Sequence, residues 1–363
     1  WLIFAIAPKQ LPVPVIFQIE NQANMSVVKT FYLIVFFLLP VIVVAQHIEM
    51  LHSGTGISSR GLSVVDDKVV WASGTNGTIG RSVNSGKTWK WMQVKGFEKT
   101  DFRDIEAFDA ATAIIMGVAE PAYILKTNDG GNTWKVVFED KRKGMFLDAM
   151  EFWNEQSGIV IGDPLNEKIF IARTFDGGDT WQHLPEQNYP VAKTGEAMFA
   201  ASGTNIRPLS KKEACFVTGG RVSRLFVRNK TIDLPLVQGR ETTGANSIAV
   251  YDNKKQKPAK YMVVVGGDFA ADSIAAQNCA ISKDGGSTWV LTETPPKGYR
   301  SCVEFVTKNK LVSCGTTGVD ISADRGMNWK LISKEGFHVC RKAKNGKSVF
   351  LAGKDGRIAR LVW

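Results

Sequence analysis

Five copies of one short pattern constrain the fold of this chain more than any other feature. The common form is Ser/Thr-x-Asp-x-Gly-x-Thr-Trp, and Asn84 replaces the aspartate in the first copy while Asn328 replaces the threonine in the fifth. Repeated units bury their hydrophobic faces against one another, so the repeat decides the architecture before any other feature is considered. The five copies span residues 82–89, 127–134, 174–181, 282–289 and 322–329.

Each copy has the chemistry of a tight hairpin turn. Its acidic or amide side chain accepts hydrogen bonds from backbone N–H groups further along, and its glycine reaches positive φ without steric cost. The tryptophan buries a large apolar surface, which stabilises the fold by about 1.5–3 kcal/mol. We therefore predict a structural role for the core residues of the pattern, which are Asn84, Asp129, Asp176, Asp284, Asp324, Trp89, Trp134, Trp181, Trp289 and Trp329.

A second repeat sets the number of units at seven. Short apolar runs that end in glycine recur at a spacing of roughly 40 to 57 residues, which suits a blade of four strands. Only three strands fit after Trp329, so residues 47–51 are expected to supply the missing outer strand. The sequence thus predicts an all-β, seven-bladed β-propeller of four-stranded blades, with the last blade closed by an N-terminal strand.

Three segments are predicted along the chain. Residues 46–363 form a single propeller domain, and residues 25–45 have the charged, apolar and small-residue layout of a secretory signal peptide. An uncleaved membrane anchor is the alternative, although Pro40 interrupts an apolar run that is short for a membrane span. Residues 1–24 are interpreted as upstream read-through or a disordered segment. The signal predicts an exported protein, periplasmic or secreted, that meets the membrane only if the signal stays uncleaved.

Charge and cysteine content limit the partners. The formal net charge of +10 favours an anionic partner, but the basic residues are scattered and no nucleic-acid motif is present, so nucleic acid is not expected. No cysteine or histidine spacing typical of a metal site and no dinucleotide-binding glycine pattern occurs, so we predict neither metal nor cofactor. Cys302, Cys314 and Cys340 fall on neighbouring predicted strands, where a disulfide and buried free thiols are both open. We expect a monomer.

The repeated pattern is the Asp box. It occurs here together with a recurring inner-strand sequence, for example residues 102–105 followed by Gly117. In these features the chain resembles the BNR/Asp-box propellers related to photosystem II stability and assembly factors, over the whole of residues 46–363. The resemblance implies a non-enzymatic scaffold that binds a client protein, with an arginine-rich patch on one face. Sialidases and other glycoside hydrolases carry the same box, so the resemblance also leaves an enzyme open.

The candidate site lies at the mouth of the central channel, on the face opposite the Asp-box turns. Aligning the seven units places one residue of each innermost strand there, and long insertions after two second strands add Asp163 and Asp268. Structural pairing of these arginines with Asp104, Asp148 and Asp163 is the alternative. The aligned residues are Arg60, Arg103, Leu147, Glu196, Asn246, Arg300 and His338, and all except Leu147 are predicted to bind ligand.

Two functions of different classes follow. The first is a scaffold that binds a protein client or another carboxylate-bearing or anionic ligand through Arg60, Arg103 and Arg300. The second is a sialidase-like glycoside hydrolase acting on a glycan, with its two carboxylates drawn from Glu196, Asp163 and Asp268. The sequence departs from the sialidase pattern, in which an Arg-Ile-Pro-like motif lies in an early blade. The nearest such triplet here, residues 206–208, lies in the fourth unit. We favour the scaffold.

Overall fold

The computed structural model describes residues 46–211, 213–252 and 257–363. In this part of the chain, thirty β-strands and one short 3-10 helix (Glu186–Asn188) form seven antiparallel sheets. The innermost strand of each sheet contacts the innermost strand of the next, and the seventh contacts the first, so the sheets close into a ring. The predicted seven-bladed β-propeller is confirmed. The predictions for residues 1–24 and 25–45 lie outside the described residues.

The strands follow the chain from the channel outward in each blade, after a first strand, β1 (His47–His52), that belongs to the last blade. Blade 1 consists of β2 (Ser59–Val64), β3 (Val70–Gly74), β4 (Thr78–Ser82) and β5 (Lys90–Gln93). Blade 2 consists of β6 (Phe102–Ala107), β7 (Ala113–Gly117), β8 (Ala122–Thr127) and β9 (Lys135–Asp140). Blade 3 consists of β10 (Leu147–Phe152), β11 (Gly158–Leu165), β12 (Lys168–Thr174) and β13 (Gln182–His183).

Blades 4 and 5 share an addition to the repeat. Two short strands, β14 (Glu196–Ala197) and β17 (Gly219–Gly220), pair with each other and extend the sheet of blade 5 at its inner edge. Blade 4 consists of β15 (Ile206–Pro208), β16 (Ala214–Val217), β18 (Arg224–Val227) and β19 (Lys230–Asp233). The four regular strands of blade 5 are β20 (Thr243–Val250), β21 (Met262–Asp268), β22 (Cys279–Ser282) and β23 (Val290–Leu291).

The last two blades complete the ring. Blade 6 consists of β24 (Cys302–Phe305), β25 (Leu311–Gly315), β26 (Gly318–Ser322) and β27 (Lys330–Ser333). Blade 7 consists of β28 (Val339–Lys342), β29 (Val349–Ala352), β30 (Ile358–Val362) and β1. β1 runs antiparallel to β30, from His47 opposite Val362 to His52 opposite Ile358, so the predicted closure by an N-terminal strand is confirmed.

The five copies of the sequence pattern form turns of one geometry, here called the repeated turns, between the third and fourth strands of blades 1, 2, 3, 5 and 6. In the second turn, Asp129 Oδ1 accepts the backbone N–H of Thr133 at 3.0 Å, and Gly131 N–H donates to Thr127 Oγ1 at 3.1 Å. In the first turn, Asn84 Oδ1 accepts the N–H of Thr88 at 3.0 Å, so the amide serves as well as the carboxylate. These hydrogen bonds lower the pKa of Asp129 and Asp284 to about 2.

The hydrophobic core is divided among the interfaces between neighbouring blades. Between blades 1 and 2, for example, Trp71 and Ile79 pack with Phe102 and Ile115, and all four are out of contact with solvent. The largest cluster spans blades 6, 7 and 1 and includes Phe350. Because each blade is held on two sides by such packing, the ends of the innermost strands are rigid positions on which a site can be built.

The five cysteines of the described chain are free and buried. Cys302 lies opposite Cys314 in the pairing of β24 with β25, and its sulfur is 3.6 Å from the sulfur of Cys340 on β28. Of the two alternatives from the sequence, the structure therefore has the thiol form. Among the described residues no group of His, Cys, Asp and Glu is arranged to hold a metal ion. No helix there is long and apolar enough to cross a membrane.

Candidate functional site

The channel has two mouths of different chemistry. The upper mouth is the end at which the innermost strands begin, and the lower mouth is the end at which they finish. Successive strands of a blade alternate in direction, so the repeated turns lie on the lower side. The upper mouth contains a cavity of about 350 Å³, lined by Arg60, Arg103, Phe146, Asp163, Met198, Phe199, Ala200, Ala201, Asn246, Phe269, Tyr299, Ser301, Thr316 and His338. Five of the eight residues predicted to bind ligand line this one cavity.

Arg60 is the cation of the upper mouth without a carboxylate partner in the described chain. It is the second residue of β2, and its nearest polar contact is the carbonyl oxygen of Ala201, 3.5 Å from Nη1. Burial, and then repulsion by Arg103, lower the pKa of Arg60. The guanidinium of Arg60 therefore keeps its positive charge without an ion pair to any carboxylate of the described chain.

Arg103 occupies the equivalent second position of β6 and is partly neutralised. Its Nε lies 2.7 Å from Asp101 Oδ2, and its guanidinium carbon lies 5.8 Å from the centre of the Phe146 ring. The side chain keeps 29% of its accessible surface. The ion pair and the ring orient the guanidinium, while its remaining N–H groups stay open to solvent or to a ligand.

His338 and Asn246 contribute polar but uncharged groups. His338 Nε2 lies 3.1 Å from Ser58 Oγ, and burial together with Arg60 and Arg357 lowers the pKa of His338 to about 3. The imidazole is therefore neutral near pH 7. Asn246 Oδ1 accepts a hydrogen bond of 2.8 Å from the hydroxyl of Tyr299, which fixes both side chains at the floor of the cavity.

Asp163 is the carboxyl group that lines the upper cavity. Its Oδ1 accepts the backbone N–H of Met198 at 2.8 Å, and burial raises the pKa of Asp163 to about 6. Asp148 is fully buried nearby on β10, and burial and the charge of Asp163 raise its pKa well above the ordinary value. Asp163 is therefore the carboxyl group of this pair that a ligand in the cavity can meet.

Arg300 and Glu196 are placed differently from the prediction of ligand contact. Arg300 is completely buried and forms an ion pair with Asp320, to which its Nε donates at 2.7 Å. Glu196, with no side-chain exposure, pairs with Arg224, whose Nε donates at 2.9 Å. Arg300 is thus in a structural ion pair, as the alternative for the arginines expected, although its partner is not one of the predicted Asp104, Asp148 and Asp163. Glu196 is in a buried pair with an arginine that the sequence analysis did not assign. Neither side chain can meet a ligand without breaking a buried ion pair.

Asp268 and Leu147 also lie outside the cavity lining. Asp268 is 7% exposed, accepts the N–H of Ala270 at 3.0 Å and has Oδ2 3.7 Å from Arg240 Nη1. Leu147 is fully buried at the start of β10. The loop that carries Asp268 nevertheless reaches the site through its next residue, Phe269.

Aromatic residues at the upper mouth were missed by the sequence analysis. Phe269 is 45% exposed and meets Phe199 edge-on at 5.5 Å between ring centres, and Tyr299 at 6.2 Å. Phe269 lies in the long insertion of blade 5, so the sequence carried a signal for it. Phe199 follows the short strand β14, and the repeats in the sequence do not predict that β14 pairs with β17.

The lower mouth is charged but largely self-neutralised. Its cavity of about 550 Å³ contains Arg207, which bridges Glu151 at 2.8 Å and Glu304 at 3.2 Å. Glu106 pairs with Lys344 at 2.5 Å on the same wall. Arg207 is the arginine of the Arg-Ile-Pro-like triplet at residues 206–208, and its guanidinium is paired with these two glutamates. It therefore holds innermost strands together.

No protein-family model matches this sequence, and no curated protein matches it. Among solved structures, YCF48 bound to a D1 peptide superposes with a TM-score of 0.62 and 18% identity, covering 87% of this chain and 97% of that one. YCF48 from Cyanidioschyzon merolae gives 0.62 and 15%, covering 86% and 98%. The WD40 β-propeller domain of Doa1 gives 0.58 and 13%, covering 88% and 97%. The chain is thus a seven-bladed β-propeller that resembles YCF48 in structure.

Proposed function

We propose that this protein is a non-enzymatic binding scaffold whose upper mouth receives an acidic, extended segment of a client protein. The observation that carries the proposal is Arg60, a cation without a carboxylate partner among the described residues, held beside Arg103 at the rim of a rigid ring. A client carboxylate would supply the missing counter-charge, and guanidinium groups bind carboxylates in a directional, bidentate way.

The surroundings of the two arginines suit a peptide. Phe199 and Phe269 offer exposed ring surface next to the charges, so an acidic residue flanked by an apolar one can use both. Among the structural neighbours, one YCF48 is bound to a D1 peptide, which gives a precedent for peptide binding on this fold. We further propose that the repeated turns are Asp boxes of the BNR type and that the protein is exported, on the basis of the sequence alone.

No observation favours the glycoside hydrolase. That reaction needs two carboxyl groups flanking one scissile bond, and of the three candidates only Asp163 lines the upper cavity. Glu196 is committed to Arg224, and Asp268 lies outside the lining. A carbohydrate ligand of the upper mouth is accordingly not part of the proposal.

The test is fluorescence anisotropy with labelled dodecapeptides that combine Glu and Phe, compared with the same peptides carrying Gln for Glu. The variant Arg60→Gln/Arg103→Gln should bind the Glu peptides at least about tenfold more weakly, since a charge-assisted hydrogen bond contributes roughly 1.5–3 kcal/mol. Arg173→Gln, which removes an exposed arginine on β12 of blade 3, is the matched control and should bind normally. Equal affinity for the Glu and Gln peptides, or full binding by the double variant, would rule the proposal out.

A further inference from the structure

A basic groove lies on the lower side of the molecule, away from the proposed client site. It is a cavity of about 330 Å³ between residues 251–252 and 257–261 on one side and the β24–β25 loop and repeated turn of blade 6 on the other. We call it the blade 5–6 groove. The residues that matter for its chemistry are Lys257, Lys260, Lys308, Arg325, Tyr251 and Tyr261.

The groove concentrates positive charge. None of its four cationic side chains forms an ion pair with a carboxylate in the part of the chain that the structure describes, and Lys257, Lys260 and Lys308 are exposed. Asp252 is the one carboxylate among its described lining residues. Four cations facing one acid repel one another, and a bound anion of more than one charge relieves that repulsion better than a single carboxylate does.

Arg325 shows that this charge is placed at a conformational cost. It occupies the position before the glycine of the fifth repeated turn with φ of 67°, and Ser85 has φ of 64° at the same position of the first turn, whereas the second, third and fourth turns have Gly130, Gly177 and Gly285 there. A side chain with a Cβ is disfavoured at such φ, so Arg325 carries a conformational cost that a glycine would not. The turn would form at least as readily with glycine.

The guanidinium of Arg325 is also held in place. Its Nε donates to Asn309 Oδ1 at 2.9 Å, and its backbone N–H donates to the carbonyl oxygen of Asn309 at 2.9 Å. The guanidinium carbon lies 5.5 Å from the centre of the Tyr261 ring. These contacts occupy one of the five guanidinium N–H groups and leave the others for a ligand.

The aromatic wall of the groove is equally fixed. Tyr251 donates its backbone N–H to the carbonyl oxygen of Tyr261 at 3.0 Å, and both rings pack on Phe305, at 5.4 Å and 6.2 Å between ring centres. A pre-formed wall of this kind reduces the ordering that a ligand must impose on the protein.

We propose that the blade 5–6 groove binds a small phosphate-type oxyanion of two or more charges, such as pyrophosphate or a phosphomonoester. Tetrahedral oxyanions accept hydrogen bonds from several directions, which suits three flexible lysines around one fixed guanidinium. The volume accommodates a phosphorylated small molecule but not a folded domain. Free phosphate compounds and phosphate groups carried on a sugar share this chemistry, and the two probes below distinguish them.

The experiment is isothermal titration of residues 46–363 with pyrophosphate and with glucose 6-phosphate, at an ionic strength of about 0.02 M, where exposed charges are weakly screened. Saturable binding below about 1 mM is expected for at least one probe. If only pyrophosphate binds, the ligand of the groove is a free phosphate compound. If glucose 6-phosphate binds more tightly, the ligand carries its phosphate on a sugar, and the sugar contacts the tyrosine wall. No saturation by either probe up to about 10 mM overturns the proposal.

Arg325→Gly is the informative variant because glycine suits the backbone conformation. It should weaken binding about tenfold or more while the melting temperature stays equal or rises. Lys260→Gln/Lys308→Gln should weaken binding similarly, and Lys135→Gln, on the outer strand of blade 2, should leave it unchanged. Unaltered binding by Arg325→Gly, or equal losses in the Lys135 control, would contradict the site. The Arg60→Gln/Arg103→Gln variant should keep phosphate binding, so this proposal and the client site fail separately.

Discussion

At the scale of single residues, position on the innermost strand decides whether an arginine serves a ligand or the fold. Arg60 and Arg103 are each the second residue of a strand, and both line the upper mouth. Arg300 aligns with them by alternation, but β24 begins only at Cys302, so Arg300 lies in the preceding loop. There it reaches Asp320 and donates to Tyr299 O and Thr317 Oγ1, each at 2.8 Å. Sequence alignment finds the position along the unit but not the direction of the side chain.

The buried pair of Arg300 and Asp320 gives a stability prediction. Arg300→Met should lower the free energy of unfolding by about 3–5 kcal/mol, because it leaves the Asp320 carboxylate buried without its partner. The double variant Arg300→Met/Asp320→Leu should recover a large part of that loss, since no unpaired charge remains. Urea unfolding measures both, with Arg173→Met as the exposed control. A single variant within about 0.5 kcal/mol of the wild type would show that the pair does not stabilise the fold.

At the scale of elements, the repeated turns and the upper mouth differ in how far the sequence predicts them. The hydrogen bonds made by the side chains of Thr127 and Asp129 reach no further than four positions along the chain, to Gly131 and Thr133, so the pattern specifies the geometry of the turn locally. The upper mouth instead depends on distant segments such as β14, which pairs with β17. That pairing and Arg224 draw Glu196 away from the channel. Local hydrogen bonding is readable from sequence, whereas a contact between blades is not.

The carboxylates of the repeated turns predict a pH dependence of stability. The pKa is about 2 for Asp129, Asp176 and Asp284 in the folded protein, below the ordinary value of 3.8. A lowered folded pKa stabilises the protein above the ordinary value, and this stabilisation is lost as the pH falls toward 2. The triple Asp→Asn variant should therefore lose less melting temperature than the wild type between pH 4 and pH 2, and Asn84 shows that an amide fits the turn.

Thermal unfolding followed by circular dichroism at half-unit pH steps provides this measurement. The matched control is Asp179→Asn, which lies in the third repeated turn but pairs with Lys126 rather than with the turn backbone. Its curve should follow the wild type. Parallel curves for the wild type and the triple variant would mean that the turn carboxylates contribute nothing to acid sensitivity.

At the scale of the whole molecule, the ring is closed by β1. Ile48 and Leu51 pack against the core of blades 6, 7 and 1, and Arg360 Nη2 pairs with Glu49 at 2.7 Å. The number of strands left at the end of the sequence was enough to predict this closure. The two extra strands of blade 5 were not predictable in the same way, because each is only two residues long.

Removal of β1 should leave the edge of β30 unpaired. A chain that begins at residue 53 is expected to melt at a lower temperature and to self-associate, because an exposed strand edge pairs with other chains. Thermal unfolding and sedimentation velocity measure the two effects. A synthetic peptide of residues 46–52 should restore the melting temperature, whereas the same peptide with Asp at positions 48 and 51 should not. An unchanged melting temperature after the deletion would contradict the role of β1.

The closure by β1 also reverses the usual relation between synthesis and assembly. The ribosome makes β1 first among the described strands, yet Glu49 and its partner Arg360 are 311 positions apart. β1 therefore has no native pairing partner until blades 1 to 6 and the other three strands of blade 7 have been synthesised. Completion of the ring depends on the two most distant parts of the described chain meeting, so the ring can close only after β30 has been made.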